Sequence, residues 1–228
     1  MRWMHRDAPM NTRPLLVTLA VVLCCTAVPA FASSETPSPP ESAPFQVSGA
    51  SPERERFLQE LNARRIEMNR MALWGLTGWT VLNLSVGTVG YFTTSDPTWR
   101  GFHQMNALFN VGVLGAALGS FALLAAQDPE RLDLRESLRR GGLLARGLLV
   151  GITLDVASGL LGLYLRERGL RMGSGRLEGW GYSLMLQGGF LLLFDTSLFV
   201  LNSRYDARLL PLVDASGRGA GLSLAVRF

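Results

Sequence analysis

The stretch LLARGLLVGITLDVASGLLGLYL, from Leu143 to Leu165, is an apolar run of 23 residues. A helix of that length crosses the hydrocarbon core of a bilayer, which is about 30 Å thick. Gly147, Gly151, Asp155 and Gly159 recur every four residues and therefore share one helical face. Small residues let another helix approach closely, whereas a carboxylate at mid-membrane is costly. The run predicts a membrane helix with a close neighbour and with one residue, Asp155, that needs a partner.

The composition of the whole chain is typical of a small membrane protein that crosses the bilayer several times. Of its 228 residues, 48% are hydrophobic and 25 are glycine, a residue more frequent in membrane helices than in soluble ones. All 22 basic residues are arginine, and they are interleaved with 18 acidic residues rather than gathered in a like-charge block. We therefore expect the lipid bilayer as a partner and no nucleic acid.

Three further apolar stretches have the length of membrane spans. They lie at about 71–92, 102–126 and 182–202, and the first of them carries no charged residue. Consecutive helices joined by short connections run antiparallel. The sequence therefore predicts an all-α membrane protein, a four-helix transmembrane bundle that occupies residues 51–202.

The two longer connections of this bundle differ in composition. Residues 127–142 carry four acids and four arginines, and Asp128-Pro129-Glu130 predicts the start of a short amphipathic surface helix. Residues 166–181 are rich in glycine and arginine, and we expect them to form a loop.

Residues 1–32 have the three regions of a secretory signal peptide. An arginine-containing segment precedes an apolar region from Leu15 to Val28, and Ala30-Phe31-Ala32 provides a small-x-small cleavage site. The alternative is an uncleaved first membrane helix. Cleavage would remove Cys24 and Cys25, the only cysteines of the chain, and with them any disulfide, thiolate metal site or cysteine nucleophile.

The segments that flank the predicted bundle are different in kind. Residues 33–50 are rich in Ser, Pro and Glu and are expected to be a disordered linker. An amphipathic lead-in helix is predicted from Ser51-Pro52, where a Ser N-cap precedes a Pro at the first helical position. We interpret it as an interfacial helix, with docking of a partner as the alternative.

At the other end, residues 203–228 are predicted to form a small β-hairpin-like tail. Leu209 to Val213 would be its first strand, and apolar residues alternate with others between Ala220 and Phe228. A protein partner or a second copy of the chain would bind through the lead-in helix or through this tail.

The second span opens with the motif FHQMNALFN, from Phe102 to Asn110, and follows a first helix that contains LWGLTGWTVLNLSVG. This combination resembles a family of uncharacterised bacterial integral membrane proteins with an exported N-terminus and four spans. The resemblance covers residues 53–202. It implies the four-span architecture and no activity.

Polar residues are predicted to gather near the middle of the bundle. At about 1.5 Å of rise per residue, Asn83 and Asp155 reach mid-membrane depth, with Asn110 and Asp195 to either side. The functional hypothesis is a polar pathway in which the two acids bind a cation or relay protons. The structural hypothesis, which we favour, is interhelical hydrogen bonding, or pairing of Asp195 with Arg146. The candidate polar cluster is Asn83, His103, Asn106, Asn110, Arg146, Asp155 and Asp195, and the predicted helix-packing residues are Gly115, Gly119, Gly147, Gly151 and Gly159.

Catalysis is disfavoured by the chemistry that the chain lacks. Removal of the signal peptide leaves one histidine, His103, so a multi-histidine metal centre cannot be built. There is no phosphate-binding loop and no G-x-S-x-G motif. We therefore predict no enzyme, no cofactor and no metal site, but a non-enzymatic scaffold or assembly component. The alternative is a small ion or proton channel or carrier that uses the polar cluster.

Two signals for orientation conflict. The signal peptide places the chain in the bacterial inner membrane with both termini outside the cytoplasm. The connections at 93–101 and 166–181 would then be cytoplasmic, and they hold fewer than half as many arginines as the opposite side, which the positive-inside rule disfavours. We give precedence to the signal peptide, because its three regions agree with one another.

Overall fold

The structure, a computed structural model, describes residues 52–214. All regular secondary structure in these residues is helical: α1 is Pro52–Thr93, α2 is Pro97–Ala125, α3 is Leu134–Met172 and α4 is Gly175–Asp214. The all-α prediction is confirmed for this part of the chain. The predicted signal peptide, the linker at 33–50 and the second strand of the tail lie outside the described residues.

Three helices are long and apolar enough to cross a membrane, and this makes the protein a membrane protein. They are α2, α3 and the part of α4 from Gly175 to Leu212. Helix α1 is not among them, because polar side chains such as Thr80, Asn83 and Thr88 interrupt its apolar half. The predicted span at 71–92 therefore stays a prediction.

Three helices are much longer than a bilayer requires. Helix α1 has 42 residues, α3 has 39 and α4 has 40. At about 1.5 Å per residue each is roughly 60 Å long, about twice the thickness of the hydrocarbon core. The charged N-terminal parts of α1 and α3 and the C-terminal part of α4 lie at the same end of the molecule. We call this part the head and define it as residues 52–70, 132–142 and 203–212.

Helix α4 lies between the other helices and contacts all three of them. Helix α3 packs almost entirely against α4, α4 packs on its other side against α2, and α1 packs mainly against α2. One buried apolar cluster joins α2, α3 and α4, and it consists of Met105, Phe109, Val113, Leu165, Trp180 and Leu184. Outside the head, α3 therefore contacts mainly α4.

The lead-in helix is not a separate interfacial element, as the sequence suggested. It continues without a break into the apolar half of α1, since neither Gly nor Pro interrupts the chain between Pro52 and Trp74. Its Leu61, Asn62, Arg65 and Ile66 are buried against the other helices of the head. A helix in the membrane plane would have left this face against lipid.

The predicted loop at 166–181 is wrong, because nearly all of it is helical. Gly173, with φ 63°, ends α3 in the left-handed conformation that favours glycine, and α4 begins at Gly175. The other glycines of the segment permit close contact between helices. A Cβ added to Gly181 would lie 2.5 Å from the backbone nitrogen of Arg166. The glycine content that indicated a loop thus reflects helix packing.

The predicted helix start at Asp128-Pro129-Glu130 is also wrong. The Asp128 carboxylate accepts a hydrogen bond from the Glu130 backbone N–H at 3.1 Å, which closes a turn. The N-cap is Asp133, whose side chain accepts from the backbone N–H of Glu136 at 2.7 Å. From there α3 runs unbroken into the apolar segment, so the surface helix and the third span are one element.

The first strand of the predicted tail is wrong as well. Residues 209–213 belong to α4, which continues to Asp214. Leu209 is 2% exposed, because it packs into the head as a helical residue. Burial against α1 thus outweighs the strand pattern of this short apolar run.

Candidate functional site

Gln187 on α4 hydrogen-bonds to two other helices through one fully buried side chain. Its Nε2 donates to Asn83 Oδ1 on α1 at 3.2 Å and to Asn106 Oδ1 on α2. Its Oε1 accepts from the Trp79 indole N–H at 3.1 Å. An amide has two N–H groups and a carbonyl oxygen, so these contacts use both ends of the side chain.

Two asparagines extend this arrangement along α2. Asn106 Nδ2 donates to the backbone oxygen of Asn83 at 3.0 Å, and Asn110 Nδ2 donates to the backbone oxygen of Asn106 at 2.8 Å. The side chains of Asn83, Asn106 and Asn110 are all buried. We call this set the amide network: Trp79, Asn83, Asn106, Asn110 and Gln187. It joins α1, α2 and α4 by interhelical hydrogen bonds of Trp79, Asn83, Asn106 and Gln187, whereas Asn110 bonds only within α2 and its Oδ1 has no partner among the described residues.

The two acids lie elsewhere, between α3 and α4. Asp155 is 6% exposed, and its Oδ2 has no hydrogen-bond partner among residues 52–214. Asp195 on α4 is half-buried and lies within electrostatic reach of Asp155. The Asp195 carboxylate lies over Gly151, where a Cβ would collide with its Oδ2. We call Asp155 and Asp195 the acid pair.

The predicted cluster of seven residues is therefore divided into separate places. Asn83, Asn106 and Asn110 lie in the amide network, and the two acids form the acid pair. Arg146 is exposed. In the part of the chain that the structure describes, the ion pairs include neither Arg146 nor Asp195.

His103 lies apart from both groups. Its ring is in contact with Gly90, where a Cβ would collide with the imidazole, and stacks edge-on near Phe102 at 5.4 Å between ring centroids. Its Nδ1 is buried without a hydrogen-bond partner among the described residues. The imidazole fills the space that Gly90 leaves between α1 and α2.

A further group of polar side chains lies in the head. Arg65 on α1 is 5% exposed, donates from Nη1 to the Ser137 backbone oxygen at 3.0 Å, and forms an ion pair with Asp206 Oδ1 at 3.5 Å. Burial lowers the pKa of the Arg65 guanidinium, and the charge of Asp206 opposes this shift. Nearby, Ser137 Oγ donates to Asn62 Oδ1 at 2.8 Å. These contacts join α1, α3 and α4.

Sequence reasoning did not identify two of the residues that hold these groups together. Gln187 was overlooked as an intramembrane amide, although it is the polar side chain of the segment LMLQGG. Arg65 was not predicted to be buried, although it shares the helical face of Leu58 and Leu61. A polar residue on the apolar face of an amphipathic helix was the available signal.

The glycines of the α3–α4 interface differ from most of those predicted. Gly151 makes room for Asp195, and Gly159 lies against Gly188, whose added Cβ would be 2.9 Å from the Gly159 nitrogen. Gly162 is a further contact, since its Cβ would lie 2.8 Å from the Gly181 oxygen. An added Cβ at four of the predicted positions would meet no atom of the described residues within 4 Å: Gly115, Gly119, Gly147 and Gly159.

The chemistry of these groups is that of binding and packing. The described residues contain no group of three or more His, Cys, Asp or Glu that could hold a metal ion.

The head carries a surface groove between α1 and α4 that combines apolar and charged side chains. Its lining residues are Phe57, Glu60, Leu61, Arg64 and Arg208.

Comparison with known families adds the extent of the related region. The model of DUF6992, a family of unknown function, matches residues 75–196 of the chain. The matched region contains the whole amide network and the acid pair, and it leaves out Arg65 and Asp206 of the head. No curated protein and no solved structure matches the chain.

Proposed function

The chain belongs to the DUF6992 family of unknown function, and we propose that it acts as a non-enzymatic scaffold or assembly component of a membrane. The observation that carries this proposal is the head. Three helices continue past their apolar segments and pack together instead of ending at the bilayer surface. A packed extension of this kind presents a surface to other molecules at a fixed position above the membrane.

Buried polar contacts support the rigidity that such a role requires. Asn62 Nδ2 donates to the Leu132 backbone oxygen at 3.1 Å, and Asn69 and Asn202 exchange side-chain hydrogen bonds at 3.2 and 3.0 Å. Hydrogen bonds of this kind contribute roughly 0.5–1.5 kcal/mol each, so separation of the head helices is disfavoured. The head is therefore expected to move with the bundle as one body.

The groove on the head is the surface that we assign to a partner. Phe57 is 45% exposed, and Arg64 and Arg208 lie beside it on α1 and α4. Exposed aromatic and arginine side chains are the residues most enriched in protein interfaces. A partner segment that combines an apolar residue with a carboxylate fits this surface.

We further propose that α1 crosses the membrane at about 71–92, which gives four spans. The amide network supports this, because Asn83 and Trp79 of α1 contact Asn106 of α2 and Gln187 of α4 within their apolar segments. The bacterial inner membrane and the exported position of both termini rest on the predicted signal peptide.

Photo-crosslinking tests the scaffold role. A photoreactive phenylalanine analogue replaces Phe57 in the full chain in native membranes, and the matched control replaces Leu193, which is 73% exposed in the apolar part of α4. We expect one discrete protein adduct from position 57, lost in the Arg64→Glu/Arg208→Glu variant, and lipid adducts from position 193. Lipid adducts alone at both positions would contradict the proposal.

The carrier alternative is tested by flux. The purified protein is reconstituted in liposomes, and dissipation of an imposed proton or sodium gradient is compared with that of empty liposomes. The scaffold proposal expects no difference. A flux that Asp155→Asn abolishes would establish the alternative instead.

A further inference from the structure

We propose that Asp155 and Asp195 form a binding site for one monovalent cation, a proton or an alkali-metal ion, between α3 and α4. This inference goes beyond the scaffold role and requires no transport. It concerns a bound charge that the α3–α4 interface needs in order to remain packed.

The first argument is the burial of Asp155. The side chain is 6% exposed, and its Oδ2 has no hydrogen-bond partner in residues 52–214. An ionised carboxylate in such a place carries a penalty of several kcal/mol unless a positive charge or a proton compensates it. In the amide network, by contrast, the Gln187 side chain has partners at both its nitrogen and its oxygen.

The second argument is the lack of a compensating side chain. Helix α3 packs against α4, and the charged residue of α4 that faces Asp155 is Asp195, another acid. On α3 itself the nearest arginines are Arg146, which is exposed, and Arg166, which pairs with Glu167 at 2.6 Å. Two like charges within electrostatic reach of each other favour a state in which one is neutralised.

The third argument is the space that Gly151 leaves. Because residue 151 has no Cβ, the Asp195 carboxylate lies directly against the α3 backbone, one turn from Asp155. A glycine at this position thus brings the two acids onto the same side of the interface. Gly147, one turn earlier, has open space beside it and plays no such role.

The number of ligands limits the bound species to a small charge. A Ca²⁺ ion takes 6–8 oxygen ligands, and the described residues contain no third His, Cys, Asp or Glu beside the pair. Two carboxylates provide at most four oxygens, one of which lies over Gly151. A proton needs only these two carboxylates, whereas an alkali-metal ion would also take backbone oxygens or water as ligands.

Carbodiimide labelling tests the site in the full chain. Dicyclohexylcarbodiimide partitions into the bilayer and reacts with protonated carboxyl groups there, and peptide mass analysis locates the adduct. Labelling is measured in lipid vesicles over a range of pH, with sodium, potassium or choline as the added cation. Choline is the control, because it is too large for the pair.

The arms of the experiment distinguish the two cations. Adduct at Asp155 or Asp195 that decreases as pH rises and is indifferent to sodium and potassium identifies a bound proton. Adduct that sodium or potassium suppresses and choline does not identifies an alkali-metal ion, and Asp195→Asn abolishes this protection. The absence of adduct on both acids at every pH, or an adduct that neither pH nor salt changes, overturns the proposal.

The matched control is Glu167, an exposed acid of α3 outside the apolar run. It should show no cation-dependent labelling in the same samples. The reagent reports only on carboxyl groups of the isolated protein, whereas the scaffold role is measured by crosslinking at the head. The two proposals can therefore fail independently.

Discussion

Gln187 is the residue on which the contact between α1, α2 and α4 depends most. Replacing it with leucine removes the partners of the Trp79 N–H and of two buried asparagine oxygens. We expect Gln187→Leu to lower the free energy of unfolding by about 1–2 kcal/mol, since interhelical hydrogen bonds in membranes are modest. The measurement is unfolding in a denaturing detergent. Gln59→Leu, on the exposed surface of the head, is the control and should change stability little.

Arg65 gives the corresponding prediction for the head. Arg65→Met leaves Asp206 without its ion pair, and we expect a loss of about 2–3 kcal/mol, reduced from the fully buried case because the Asp206 side chain is 30% exposed. The control is Arg70→Met. Arg70 pairs with Glu67 at 3.1 Å, but both side chains are more than half exposed, and such pairs contribute less than about 1 kcal/mol. Equal losses in the two variants would contradict a buried ion pair.

At the scale of single residues, the sequence predicted how deep the polar side chains lie in the membrane. It could not predict which neighbouring helix each side chain faces. Asn83 and Asp155 were placed at the same depth, yet they contact different faces of α4, at Gln187 and at Gly188, because the order of helices around the bundle follows from packing between distant segments. The asparagines of FHQMNALFN were recognised as polar membrane residues. Neither their partner Gln187 nor the separate position of the acid pair could be predicted from the sequence, because both depend on the packing of α4 between α2 and α3.

Among the helices, the α3–α4 pair is defined by glycines that allow the two backbones to touch. Gly188→Ala would place a Cβ 2.8 Å from the Asp155 backbone oxygen, and backbone cannot rotate away. We expect a loss of about 1–3 kcal/mol, as for other overpacked interfaces. The same detergent unfolding measures it.

Gly147→Ala is the matched control in the same helix pair. Its Cβ would meet no described atom within 4 Å, so helix propensity should make the variant neutral or more stable by up to about 1 kcal/mol. A destabilisation as large as that of Gly188→Ala would contradict the open surface around Gly147.

The helices themselves were predicted better than their ends. Every apolar run that was assigned as a span lies within a helix, because hydrophobic length is a local property. The continuation of α1, α3 and α4 into the head was missed, since Leu209, Arg65 and Ser137 become buried only when three distant segments meet. Gly169 and Gly181 were assigned to a loop because composition does not distinguish a turn from a close helix contact.

For the whole molecule, the orientation in the membrane is the measurable consequence of the long helices. Glu55 lies in the head part of α1 and Glu130 in the connection between α2 and α3, and both are exposed. We expect single cysteines introduced at these two positions to react with an impermeant maleimide on intact cells. A cysteine at Ser95, in the turn between α1 and α2, should react only after lysis. Reaction of Glu55→Cys and Ser95→Cys from the same side would show that α1 does not cross. Reaction of Ser95→Cys alone on intact cells would reverse the proposed orientation.

The head also has a consequence for biosynthesis. Its contacts join residues that are far apart in the chain, such as Asn69 and Asn202, which are separated by 133 positions. Until the ribosome has released the end of α4, Asn69 lacks its partner Asn202 and Arg65 lacks its ion pair with Asp206. A chain that stops early, or whose last helix fails to insert, is thereby distinguishable from a finished one. Closure of the head therefore reports that α4 has been made and has packed.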